Sequence, residues 1–153
     1  MARRDSPRRS LDRVLITGVS GFAGGFLAER LLEAGAAVLG STPVGDWEPA
    51  SPAGLRDRVE LVAWDLGAQD GASPTARRQI EAFRPEVIFH LGALSVPGDC
   101  GQQQISPRAA AVNVAGTRRV MQLAAALRIS INSSRRSSSP SAAAAAISGR
   151  RKL

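Results

Sequence analysis

Three glycines spaced three residues apart, Gly18, Gly21 and Gly24, lie between a short apolar run, Val14-Leu15-Ile16, and a stretch with apolar residues at helical spacing. That strand–turn–helix order gives the glycines chemical meaning. The first, at a strand end, permits a tight turn with positive φ. The second lets the backbone approach a pyrophosphate, and the third lets helix and strand pack closely. Unpaired N–H groups at the helix start, aided by its dipole, then hold phosphates without a basic side chain. Gly18, Gly21, Phe22, Ala23 and Gly24 are the residues expected to form that cradle. No lysine follows the glycines, so a phosphate loop of the Walker type is excluded. The plainer reading is a glycine turn chosen for packing alone.

Other reactive side chains are scarce. The chain has one histidine, His90, one cysteine, Cys100, no tyrosine, and a single lysine, Lys152, next to the last residue. An internal disulfide and a zinc site of Cys and His ligands are therefore excluded. A Tyr–Lys acid/base pair cannot be placed in a folded site, so neither catalytic nor metal-ligating residues are assigned. His90 reads as a packing residue at a strand end, and Cys100 as a free thiol. Lone-cysteine usage fits a reducing, cytoplasmic setting.

Elements that would position the glycine turn follow in order. Val14 to Ile16 reads as a strand buried on both faces of a parallel sheet. A helix follows, with Phe22, Phe26, Leu27, Leu31 and Leu32 at helical spacing and Gly35 as its stop. Ala37–Leu39 reads as a second strand and Thr42–Gly54 as a connection without period. Val59–Trp64 reads as a third strand, closed by Asp65-Leu66. Ser73-Pro74 and Ser106-Pro107 each combine an N-cap with proline at the first helical position. The first opens a helix to about Phe83, ended by Arg84-Pro85, and Glu86–Leu91 is a fourth strand. The second opens a longer helix to about Arg128, with Val112, Ala115, Leu123 and Leu127 facing inward. Gly116 weakens that helix locally, since glycine costs about 1 kcal/mol relative to alanine.

Alternating strands and helices imply an α/β fold with right-handed crossovers. The expectation is an incomplete Rossmann-type parallel sheet of about four strands with flanking helices and disordered basic tails. Its parts are a basic N-terminal tail (1–12), a partial dinucleotide-binding domain (13–128) and a low-complexity tail (129–153). The last stretch holds eight serines, five consecutive alanines and five basic residues. It shows no helical or strand period, and a fifth strand is due there.

The net charge is +7, yet residues 14–128 carry ten arginines against eleven acids. The excess lies in the tails, so no specific nucleic-acid partner is expected. No apolar run reaches about 18 residues, and no membrane partner is expected either.

Thr17-Gly18-Val19-Ser20-Gly21-Phe22-Ala23-Gly24 resembles the TGxxGxxG fingerprint of extended short-chain dehydrogenases/reductases, the group containing NAD-dependent sugar epimerases and dehydratases. Three further segments match in order. Asp65-Leu66 resembles the family's residues at the third strand end, where the carboxylate hydrogen-bonds the adenine amino group. His90-Leu91-Gly92-Ala93 resembles the HLAA segment, so Leu91, Gly92 and Ala93 would run along the cofactor. Asn113-Val114-Ala115-Gly116-Thr117 resembles NVxGT. The similarity spans residues 14–128 and implies an NAD or NADP cofactor and a nucleotide-diphosphate sugar as the parent family's substrate. The SGFAG stretch leans towards GDP-sugar reductases and dehydratases.

Two departures stand out. The acid that usually ends the second strand and grips the ribose is missing, with Thr42 nearest to its place, so NAD and NADP both remain open. The family's YxxxK pair and small substrate-binding domain have no counterpart; Ser133-Ser134 fall where its catalytic serine segment would begin. The change near Arg128 leads to the expectation of a frameshift or truncation there, leaving an open sheet edge and an uncovered face. The function implied is the NAD(P)-binding portion of a nucleotide-sugar epimerase, dehydratase or reductase, catalytically incomplete as it stands. The alternative is a non-catalytic NAD(P)-binding sensor or scaffold.

Overall fold

The computed structural model describes residues 11–49, 51–101 and 103–131. The expected basic N-terminal tail, up to residue 10, and the Ser/Ala/Arg stretch from residue 132 lie outside the described residues. Five parallel strands form one sheet in the order β3-β2-β1-β4-β5. They are β1 (Arg13–Thr17), β2 (Ala37–Thr42), β3 (Glu60–Ala63), β4 (Val87–His90) and the two-residue β5 (Ser130–Ile131). The four longer strands are those read from the apolar runs. β5 pairs with β4 inside the stretch read as tail.

β1 is central, and Val14, Leu15 and Ile16 are fully buried. Side chains alternate across a strand, so Leu15 joins one core cluster while Val14 and Ile16 join another. The Leu15 cluster includes Leu39, Val62 and Ile88 and is closed by α3 (Pro74–Phe83) and α6 (Thr117–Ala126) through Ile80, Val120 and Leu123. The opposite cluster is closed by α1 (Phe22–Glu33) and α2 (Ala53–Arg56) through Ala28 and Leu55. Helices thus cover both faces of the central strands. No helix among them is long and apolar enough to cross a membrane.

Both Ser-Pro signals act as read. Ser73 Oγ accepts from Ala76 N at 3.1 Å, and Ser106 Oγ from Ala109 N at 3.1 Å. Arg84 adopts a left-handed conformation, φ 55°, and ends α3.

Four places differ from the sequence reading. In α1 the phase is turned: Phe22 and Phe26 are 86% and 57% exposed and meet edge to face, while Gly24, Gly25 and Ala28 face the sheet. Near its start the helix lies so close to β1 that only glycine fits at position 24, while Leu27, Leu31 and Leu32 pack half-buried against the core, as read. The connection after β2 contains the short α2, and the loop after β4 contains one turn, α4 (Pro97–Cys100). The long helix expected from Ser106-Pro107 is α5 (Pro107–Ala109), a π-helical stretch (Ala110–Gly116) and α6 in succession. Gly116 sits where a Cβ would lie 2.8 Å from Leu66 O, so its lack of a side chain lets this segment press on the chain after β3.

Candidate functional site

In a parallel sheet the ligand crevice lies beyond the carboxyl ends of the strands, where the strand order reverses. The chain passes from β1 to β2 and β3 on one side and returns to β4 on the other, placing that point between β1 and β4. Register aligns the ends: Thr17 stands opposite Ser41 on one side and His90 on the other.

Gly18 follows Thr17 with φ +71°, and a Cβ there would lie 2.6 Å from Gly92 Cα. Its N–H is tied to Ser41 O at 3.0 Å, and its own carbonyl accepts from Gly21 N at 3.1 Å. Gly21 is the N-cap of α1 and carries no side-chain cap. The first-turn amides, from Phe22 to Gly24, lack intrahelical partners by the geometry of any helix start.

A cleft of about 240 Å³ opens above these ends. Gly18, Gly21, Asp65, Leu66, Leu91, Gly92 and Ala93 line it. Phe22, Ala23 and Gly24 do not: Phe22 and Ala23 are exposed at the helix start, and Gly24 is buried beneath it. Asp65 is exposed, and its Oδ1 accepts from Gly67 N at 2.8 Å, orienting the carboxylate. Thr42, nearest to the place of the family's ribose acid, is buried with its hydroxyl engaged: it accepts from Gly45 N at 2.9 Å and donates to Asp46 O at 3.1 Å.

Two cleft residues carry no signal in the sequence. Glu48, in the loop after β2, and Arg108, in the first turn after Ser106, are both exposed and line the cleft. Nothing in their spacing marks them, because the loop after β2 and the placement of α5 in the finished fold bring them there.

The Leu91–Leu94 backbone is held at both ends. Thr17 Oγ1 accepts from Leu91 N and Gly92 N, each at 3.2 Å. At the other end the Asn113 amide grips Leu94 twice, Oδ1 accepting from its N at 2.8 Å and Nδ2 donating to its O at 2.9 Å. Asn113 is thus half-buried and structural, not directed at water. His90 bonds Thr17 Oγ1 through Nδ1 at 2.7 Å and Thr117 Oγ1 through Nε2 at 2.9 Å. Cys100 Sγ donates to Leu94 O at 3.2 Å and remains a free thiol.

Burial pulls the His90 imidazole below its ordinary value of 6.5. The folded chain therefore binds fewer protons than the unfolded one between the folded value and 6.5. This contribution to stability is complete above 6.5 and is lost as pH falls through the folded value. Urea midpoints measured at descending pH should drop over that interval, and less so for His90→Gln.

A larger depression of about 870 Å³ lies at the opposite end of the sheet, among Arg13, Arg84, Glu86 and Arg128. It lies at the amino ends of the strands, away from the glycine turn, and Arg13 there is already paired with Glu86 at 3.0 Å. No group of His, Cys, Asp and Glu suited to a metal ion occurs among the described residues.

The family profile described as "NAD dependent epimerase/dehydratase family" matches residues 14–146. A UDP-glucose 4-epimerase of Mycolicibacterium smegmatis is 37% identical over 115 residues, covering 73% of this chain and 34% of that protein. The Bordetella bronchiseptica enzyme WbmH, solved in complex with NAD+, superposes with a TM-score of 0.59 at 22% identity, covering 78% of this chain and 37% of that one. A UDP-glucose 4-epimerase of Thermotoga maritima, solved with UDP-glucose, gives 0.62 at 19% identity, covering 76% and 35%. At these identities the two structures show a shared fold. The chain spans about a third of the length of that Mycolicibacterium smegmatis epimerase.

Proposed function

The chain belongs to the NAD-dependent epimerase/dehydratase family, and from that membership we propose that it binds NAD(P) across the carboxyl ends of β1, β2 and β4, as the cofactor-binding portion of a nucleotide-sugar epimerase or dehydratase. One observation carries the reading: the glycine turn, Asp65-Leu66 and the Leu91–Ala93 strip, separated by tens of residues, line a single cleft. The cradle fits the group, since a side chain at Gly18 would fill the space between the turn and the strip.

In this reading the amides of Phe22, Ala23 and Gly24 hold the pyrophosphate, and Gly18 and Gly21, whose own N–H groups are already bonded to Ser41 O and Gly18 O, give it room to approach. Asp65 accepts from the adenine amino group, Leu66 packs on the ring, and Leu91, Gly92 and Ala93 form the inner wall. Glu48, in the loop beyond β2, lines the cleft, and its carboxylate would oppose a ribose 2′-phosphate and favour NAD over NADP. When bound, the nicotinamide supplies hydride transfer at a sugar carbon. These 153 residues contain no tyrosine, so they contribute binding and orientation and not the family's Tyr hydroxyl. Relatives named for UDP-glucose epimerisation favour a nucleotide-diphosphate sugar as the whole protein's substrate and give the GDP-sugar lean no support.

Calorimetric titration with NAD+ and NADP+ tests the reading. NAD+ should bind more tightly, and Asp65→Ala should weaken it about tenfold, roughly 1.4 kcal/mol. The same variant should lose the preference for NAD+ over its hypoxanthine analogue, which lacks the amino group. No binding of either dinucleotide by the folded chain would overturn the assignment.

A further inference from the structure

His90 lies in the wall behind the cleft, does not line it, and has both ring nitrogens engaged. Thr17 Oγ1 accepts from Leu91 N and Gly92 N, which fills both of its lone pairs. Its single proton is left for His90 Nδ1, 2.7 Å away. On the other side, Thr117 Oγ1 donates its proton to Asn113 O at 2.7 Å, so it can only accept from His90 Nε2 at 2.9 Å. These roles assign one tautomer, a neutral imidazole with its proton on Nε2.

A second proton on Nδ1 has no place in this arrangement. It would point at an oxygen whose own proton already points back and whose lone pairs are both used. Thr17 would have to turn, and the Gly92 amide would lose its acceptor. Leu91 N would keep a partner, because Thr17 O also accepts from it at 3.1 Å. The disturbance therefore falls on Gly92, between the glycine turn and Leu66: a Cβ on Gly92 would meet Leu66 Cδ1 at 2.6 Å and Gly18 N at 3.4 Å.

We propose that His90 is a positioning residue for the dinucleotide: as a neutral imidazole it fixes the Thr17 hydroxyl that holds the Leu91–Ala93 strip against the cleft, and its protonation loosens the strip and weakens binding. The inference rests on the dinucleotide reading of the cleft.

Neighbouring charges do not stabilise a cation at His90. On β1, Arg13 stands at the far end and is paired with Glu86, which precedes β4. β5 and the π-helical stretch carry no charged residue. On α6, Arg118 is exposed, and Arg119 donates to Leu66 O at 3.0 Å. Asp65, beyond β3, is exposed and bonded to Gly67 N. Among the described residues no ion pair joins His90 to a carboxylate.

Because the chain has one histidine, its ring resonances report His90 without ambiguity. The test titrates the full chain with acid, following the imidazole and the Leu91 and Gly92 amides by NMR and NAD+ affinity by calorimetry. The expected result is a dissociation constant that rises as the neutral fraction of the imidazole falls, by up to about tenfold per pH unit below the midpoint, with the Gly92 amide moving at the same midpoint. His90→Gln, which can donate to Thr117 and takes no proton, should bind with a nearly flat profile over the same range. Protonation of the ring with unchanged NAD+ affinity would overturn the proposal, as would a His90→Gln profile matching the wild type. If the folded chain binds no NAD+ at neutral pH, the cofactor reading fails on its own. The Gly92 amide then decides the positioning claim, supporting it by following the His90 midpoint and overturning it by standing still. If acid unfolds the chain before the ring titrates, Thr17→Val and Thr17→Ser at neutral pH decide instead. The valine should weaken NAD+ about tenfold and the serine restore it; equal affinities would overturn the proposal.

Discussion

Replacing Gly24 with alanine should destabilise the fold by about 3 kcal/mol, although alanine is the better helix former by about 1 kcal/mol. The added Cβ would land on the Gly18 carbonyl oxygen and lie 2.8 Å from Val19 Cα. Both obstacles are backbone, so no side chain can turn aside to relieve the clash. Helix α1 would have to lift from β1, exposing the cluster built on Val14, Ile16 and Ala28. Chemical denaturation read by circular dichroism checks this. A midpoint equal to that of the wild type would show that the helix moves away at little cost.

Gly18→Val should act mainly on binding, with NAD+ affinity falling at least a hundredfold. Two constraints meet at Gly18. Its φ of +71° is one that a β-branched residue adopts only with strain. Its Cβ would lie 2.6 Å from Gly92 Cα and 2.8 Å from Gly92 N, pushing the inner strip away from the turn. The turn and the strip are the two walls between which the pyrophosphate is proposed to lie, so one substitution spoils both. Calorimetry against NAD+, with circular dichroism to establish that the chain remains folded, separates this from simple unfolding.

Much of the architecture is legible in the sequence. Continuous apolar runs such as Val14-Leu15-Ile16 mark strands buried on both faces, and the two Ser-Pro pairs mark helix starts whose side-chain caps are then found. The face of α1 was not readable, since Phe22 and Phe26 share a helical period with Leu27 and Leu31. Only the distance to β1 decides that glycine and alanine turn inward. The π-helical stretch is not legible for a similar reason: a π turn and an α turn draw on the same residue types. β5 is two residues long within a stretch whose composition carries no strand period.

The cleft divides in the same way. Its glycines and the Asp65-Leu66 pair stand at ends of elements whose order places them, and these were legible. Glu48 comes from a loop and Arg108 from the short helix α5, and the placement of both depends on the finished fold. The Thr17–His90–Thr117 connection joins positions 73 and 27 residues apart, and no local pattern encodes such a link.

The inner strip is held through its main chain: Thr17 and Asn113 bond amides and a carbonyl, leaving the Leu91 and Ala93 side chains exposed and unbonded to either anchor. Support and contact are thereby assigned to different atoms. Residues 91 and 93 can change in size or polarity while the ribbon that carries them keeps its course. A lineage built on this plan can retune what the wall touches by single substitutions there, whereas a change at position 17 or 113 alters the course of the whole segment.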